Sequence, residues 1–165
     1  GRPASDAERQ AVRARFLELL RAAARQQPSA FLPFTGVRRW LDQQPPGSVA
    51  VATGGWEHTA RFKLKRAGLE GYALPLSSAD QGASRAAIMR HALSLLCSRA
   101  GNKPGTPSQT PLTENVTYLG DGPWDLAAAT ALGWKFIGIA KGRRATTLQQ
   151  AGADQVFDNF LPLLC

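Results

Sequence analysis

Apolar positions Ala11, Val12, Phe16, Leu19, Leu20 and Ala23 recur at helical spacing and predict one amphipathic helix over residues 6–27. Ser5 is placed to cap it, and Glu8, three residues on, completes a capping box. Pro28 stops it. "SAFLPFTG" reads as a connector and "VRRWLDQ" as a short second helix. At residue 48 the pattern changes. After Pro45, Pro46 and Gly47, "SVAVAT" is a short β-branched and alanine run, the composition of a buried strand. "EHTARFKLKRAGL" returns to helical spacing and closes at Gly68, and "GYALPL" reads as a strand. "ASRAAIMRHALSLLCSRAG" is a strong helix ended by Gly101, and "NKPGTPSQTPLTE" is a loop by its Pro, Thr and Ser content. Strand "NVTYLG", helix "PWDLAAATALG", strand "KFIGIA", helix "ATTLQQAG" and strand "DQVFDNF" follow.

From residue 48 onward the order is thus β-α-β-α-β-α-β-α-β. Such alternation predicts an α/β fold, a parallel sheet with helices on both faces. The leading helices, residues 6–43, stand outside that rhythm. No internal repeat or low-complexity tail interrupts it.

Composition narrows the picture. At 165 residues, 44% of them hydrophobic, the chain is long enough for one domain with a full core. No apolar run reaches the roughly 18 residues of a membrane span, and the charged start "GRPASDAERQAVRARF" is not a secretory leader. Cys97 and Cys165 are the two cysteines. Neither sits in a zinc-like cluster, Cys97 reads as a small residue on a buried helix face, and a reducing, cytoplasmic setting is expected. The net charge of +8 raises the question of nucleic acid. The arginines are scattered along helices, however, and the tightest cluster, "RFKLKR", alternates like a helix face. Attraction of small anionic substrates is the preferred reading, with no nucleic-acid or membrane partner.

Candidate chemistry lies at strand ends, where open parallel sheets bind ligands. Thr53 ends "SVAVAT", and Gly54 and Gly55 open the next helix. A hydroxyl beside free backbone N–H groups suits a phosphate, though a plain Gly turn with Thr53 as N-cap fits too. In "DQGASRAAIM", Ser84 is placed to cap a helix, which puts Arg85 in its first turn. A cation there opposes the helix dipole by roughly 0.3–1 kcal/mol, a penalty that a nearby anion removes. Lys63 and Lys65 are rival cations in mid-helix. Gly120, Asp121, Gly122, Pro123 and Asp125 end the strand "NVTYLG" and open a helix. The two acids read either as helix-capping residues, Asp121 as the N-cap, or as ligands of a hard cation such as Mg²⁺. Trp56, His58 and Trp124 lie close by in sequence, with core packing the expected role of both Trp residues and a surface helix position that of His58.

A strand ending in Thr, then a cation opening a helix, then GDxxxD resembles the haloacid dehalogenase-like (HAD) hydrolase superfamily. "VAVAT", Arg85 and "GDGPWD" match its second, third and fourth motifs. "FTGVRRWLDQ" resembles the return from its cap, and "LAAATALGWKFIGIAKG" and "LQQAGADQVFDNF" resemble the units after its fourth motif. The resemblance covers nearly the whole chain. It implies a Rossmann-like HAD core over residues 34–165, preceded by part of a helical cap over residues 1–33. The implied function is a Mg²⁺-dependent phosphatase of small phosphate esters. In it Asp121 and Asp125 hold the metal, Thr53, Gly54 and Arg85 hold the phosphate, and Thr53 and Arg85 act in catalysis. Loss of Arg85 is expected to leave the fold intact, because its helix sheds an unfavourable N-terminal cation.

The first motif of that family, DxDx[TV] after an apolar strand, is absent. Asp158 in "QVFDNFL" does not supply it, because Phe160 stands where a second Asp is needed. The chain opens on Gly1, and the simplest expectation is that an upstream segment, a partner for this chain, is missing. The family would place that strand mid-sheet, between "SVAVAT" and "NVTYLG", so two inner edges are expected to be unpaired, and the chain alone is expected to be inactive. A metal-independent dehalogenase and a non-catalytic binding or regulatory protein of the same fold are the alternatives.

Overall fold

The computed structural model describes residues 2–99 and 115–164. Gly101, the loop over residues 102–114 and Cys165 lie outside the described residues.

Helix α1 spans Asp6–Gln26 and carries the expected capping box: Ser5 Oγ accepts the Glu8 N–H, and the Glu8 carboxylate accepts the Ser5 N–H. A 3-10 turn, Pro28–Phe31, and helix α2, Val37–Gln43, follow. The remaining elements alternate as the pattern predicts. They are β1 Val51–Ala52, α3 Glu57–Arg66, β2 Leu76–Ser77, α4 Arg85–Arg99, β3 Thr117–Gly120, α5 Pro123–Ala131, β4 Lys135–Ile139, α6 Arg143–Gln150 and β5 Val156–Phe157. The protein is a mixed α/β structure, and every strand pair among the described residues is parallel.

The strands form two small sheets, β1-β2 and β3-β4-β5. Helices α4 and α5 bury Met89, Ala128 and Ala129 together, against Ala52 of β1, Tyr118 of β3 and Phe136 of β4. One helical layer therefore covers both sheets and carries the main core. A second cluster, Ala140, Leu148 and Ala153, packs α6 under β4 and β5. On α2, Trp40 meets Phe160 with ring centroids 5.4 Å apart, and the Phe160 N–H donates to the Thr35 carbonyl (2.9 Å), tying the chain end to the start of the core.

Several expectations need correcting. The strand expected over 71–76 forms later, at Leu76–Ser77, because Glu70–Tyr72 winds into a 3-10 turn and Ala73 adopts a left-handed φ of 47°. The last strand is cut to Val156–Phe157, because the Asn159 side chain accepts the Leu161 N–H (2.8 Å) and turns the chain. Helix α1 does not bury the stripe read from its spacing. Val12, Phe16 and Leu19 are 59%, 43% and 52% exposed, and Ala24 is its buried residue. The face toward the body runs through Arg13, Leu17, Leu20 and Ala24, with Arg13 paired to Asp80 at 2.8 Å and lying over the Trp56 ring. Cys97 is only partly buried.

Candidate functional site

The end of β1 is pinned from one side. The Val51 and Thr53 N–H groups donate to the Pro75 and Ser77 carbonyls at 2.8 and 2.9 Å. Thr53 Oγ1 accepts the Gly55 N–H (3.1 Å), which fixes the side chain and leaves the hydroxyl proton to donate. Thr53 is therefore not a helix N-cap. Trp56 holds that position in α3, and the first-turn N–H of Glu57 is taken by the Asp80 carboxylate (2.8 Å). Gly54 is where Arg85 arrives: a Cβ on Gly54 would stand 3.1 Å from a terminal guanidinium nitrogen. The missing side chain is what allows that approach.

Ser84 caps α4 as expected, its Oγ accepting the Ala87 N–H (3.2 Å) and its carbonyl the Ile88 N–H (3.0 Å). Arg85 is then the first helical residue, and it does not bend into solvent. Its Nε lies 3.0 Å from Asp125 Oδ1, with the two side chains 24% and 5% exposed. The anion that relieves the cation at this helix start is a carboxylate of the chain itself. The cation at this helix start is thus compensated within the chain, and its removal leaves a buried carboxylate without its counter-charge.

Gly122 is the N-cap of α5 and Pro123 opens the helix, so Asp121 is not the cap. Its Oδ2 instead accepts from Arg144 Nη1 (2.7 Å), reaching over from α6. Asp125 sits in the first turn of α5, 4% exposed, and its Oδ2 accepts the Asp121 N–H (3.3 Å). A Cβ on Gly120 would lie 2.7 Å from Asp125 Cβ, so only glycine lets strand and helix approach this closely here. Burial pushes the Asp125 carboxyl above the usual carboxylate range, with the Arg85 charge and the Asp121 N–H opposing the shift and the Asp121 charge adding to it. Beside it the Tyr118 hydroxyl donates to the Ala52 carbonyl (3.2 Å) and lies 3.5 Å from Asp125 Oδ1. Burial, and then the Asp125 charge, push the phenol pKa up, so it stays protonated.

Thr53, Arg85, Asp121 and Asp125 thus line one cavity of about 300 Å³ at the carboxyl ends of β1 and β3, with Phe34, Tyr118 and Phe160 among its walls. Gly54 stands beside it under Arg85. Lys63 and Lys65 are exposed on α3 and line no part of it. Trp124 is 59% exposed and is not a core residue. Trp56 is half-buried and stacks on His58, with ring centroids 6.1 Å apart. Two side chains of the site were not anticipated. Arg144 stands in the first turn of α6, after the end of β4, the same signal that singled out Arg85. Tyr118 carries no motif; only its position two residues before Gly120 in a strand placed it near the strand end.

The donor set fits a hard cation. Mg²⁺ keeps several waters and takes one or two carboxylates plus phosphate oxygens. Asp121 and Asp125 are the carboxylates on this cavity among the described residues, each already paired with an arginine. No protein-family model matches the chain, and no curated protein matches it.

Proposed function

We propose that this cavity binds the phosphoryl group of a small phosphate ester together with Mg²⁺, in the manner of a HAD-like phosphatase. The supporting observation is convergence: residues far apart in sequence, Thr53, Arg85, Asp121 and Asp125, reach one cavity from three strand–helix junctions. Thr53 donates its hydroxyl to a phosphoryl oxygen from a strand end that β2 holds in place. Arg85, already anchored through Nε, offers its terminal N–H groups over Gly54. Asp121 and Asp125 would hold the ion, which would neutralise phosphoryl charge. Arg144 and Arg85 keep the two carboxylates balanced before it binds. Tyr118, held protonated, orients Asp125. Both carboxylates are committed to the metal, so the nucleophile that phosphoryl transfer requires is a further group brought to the cavity.

The test is calorimetric titration of the chain with inorganic phosphate, with and without Mg²⁺. Phosphate binding that strengthens with Mg²⁺, is lost in Asp121→Asn and weakens about tenfold to a hundredfold in Thr53→Val is the expected result, from charge-assisted hydrogen bonds of roughly 1.5–3 kcal/mol. Phosphate binding indifferent to both Mg²⁺ and Thr53→Val overturns the reading.

A further inference from the structure

The turn between β4 and α6 carries cations to the rim of the cavity. Ile139, the last residue of β4, lines that cavity. Ala140, Lys141 and Gly142 follow, and α6 opens on Arg143 and Arg144. Gly142 turns the chain at a φ of 54°, which residues with a side chain rarely adopt. Neither Lys141 nor Arg144 lines the cavity, but each reaches a residue that does. Arg144 Nη1 is 2.7 Å from Asp121 Oδ2, and Lys141 Nζ lies 6.0 Å from the centre of the Phe34 ring. Thr53 belongs to the β1-β2 sheet and Arg85 to the helix after it, whereas Lys141 and Arg144 follow a strand of the other sheet. The two groups of cations and donors therefore come to Asp121 and Asp125 from different sheets.

Both rim cations keep free donors. Arg144 commits Nη1 to Asp121, and among the described residues its Nε and Nη2 have no partner. A guanidinium holds five N–H donors in a planar fork that matches the edge of a carboxylate or phosphate. Lys141 has no carboxylate within ion-pair distance among the described residues. Helix stability does not call for this placement. Cations in a first turn oppose the helix dipole, and α6 carries two arginines there and no acid.

We propose that Arg144 and Lys141 form a second anion subsite on the rim. The phosphate ester taken here then carries a further anionic group, a carboxylate or a second phosphate, on the part beyond its phosphoryl group. The inference deepens the phosphate reading and rests on it. The phosphoryl end sits between Thr53 and Arg85. The second anion sits on the β4 side of the two carboxylates, in the Arg144 fork, with Lys141 as a point charge beside it. An ester whose remaining part is neutral gains nothing from either cation and is the poorer ligand.

The test is calorimetric titration in Mg²⁺ with two phosphonates that differ at the far end, propylphosphonate and 3-phosphonopropionate. The protein is expected to bind the carboxylate-bearing one about tenfold more tightly. Arg144→Gln should remove most of that ratio, and Lys141→Gln a smaller part. Reading both ligands in the same variant separates the subsite from a mere neutralising partner of Asp121, whose loss would shift the two alike. Arg143→Gln removes the same charge from the same turn without touching the cavity residues, and should keep the ratio. Propane-1,3-diphosphonate in the same titration tells a phosphate from a carboxylate as the second group. Equal binding of all three phosphonates by the unaltered protein overturns the proposal. So does a ratio that survives Arg144→Gln combined with Lys141→Gln, or one that falls as far in Arg143→Gln. In each of those cases inorganic phosphate that still binds with Mg²⁺ leaves the phosphate reading standing; absence of binding by phosphate and phosphonates alike overturns both.

Discussion

Arg85 and Asp125 define the site at the scale of single residues. Asp125 is a buried carboxylate whose counter-charge comes from one partly exposed guanidinium. Arg85→Ala should destabilise the fold by about 1–3 kcal/mol at pH 7, the cost of leaving a buried charged group without its partner. The loss should shrink as the pH falls and Asp125 takes up a proton; urea unfolding of wild type and variant at pH 7 and pH 4 measures both. Asp125 also sets a pH dependence of its own. Its folded pKa is raised, so between the ordinary Asp value of about 3.9 and the folded value the native state holds a proton that the unfolded chain has released. Its contribution to stability therefore falls as pH rises through that window. Asp80 and Glu57 run the other way, because the Glu57 N–H and Arg61 respectively hold them below the usual range. Relative to wild type, Asp125→Asn should thus gain stability as the pH is raised through the window, which a series of thermal melts will show. Gly120→Ala tests the packing beneath. Its Cβ would meet Asp125 Cβ at 2.7 Å, and overpacking of this kind costs about 1–3 kcal/mol, readable as a lower Tm.

At the scale of elements, the order of helices and strands was legible in the sequence because each carries its own periodicity and stop signal. Ser5 with Glu8, Ser84 before Arg85, and Gly68 at φ 66° after α3 all fall where the chain marks them. Strand length was not legible. "SVAVAT" shrinks to Val51–Ala52, since a ladder needs a partner as well as β-branched residues, and β1 has one on a single side. The facing of α1 was not legible either. Leu20 belongs to both possible stripes, and the tertiary pull of Arg13 on Asp80 and Trp56 selects the less apolar one. At the site, the motif residues were legible as a set, but their partners were not, since the Arg85–Asp125 and Arg144–Asp121 pairs span 40 and 23 positions of chain. The exposed stripe makes a prediction: Val12→Lys with Leu19→Lys should change unfolding free energy by no more than about 0.5 kcal/mol per site, as measured in urea, because neither side chain is buried.

For the whole molecule, the division into two sheets has a consequence for how the native state opens. The pair β1-β2 is two residues wide on each strand, and an isolated two-stranded sheet is marginal in water. The β3-β4-β5 sheet joins strands that are neighbours in the chain, with α5 and α6 packed on it, so its contacts are local and close early. The protein should behave as two cooperative units of unequal strength rather than one. Native-state exchange should find β1, β2 and α3 opening at a lower free energy than β3 to β5. Synthesis runs from the amino end, so the weaker unit leaves the ribosome first and waits, half-formed, for the stronger one that will hold it.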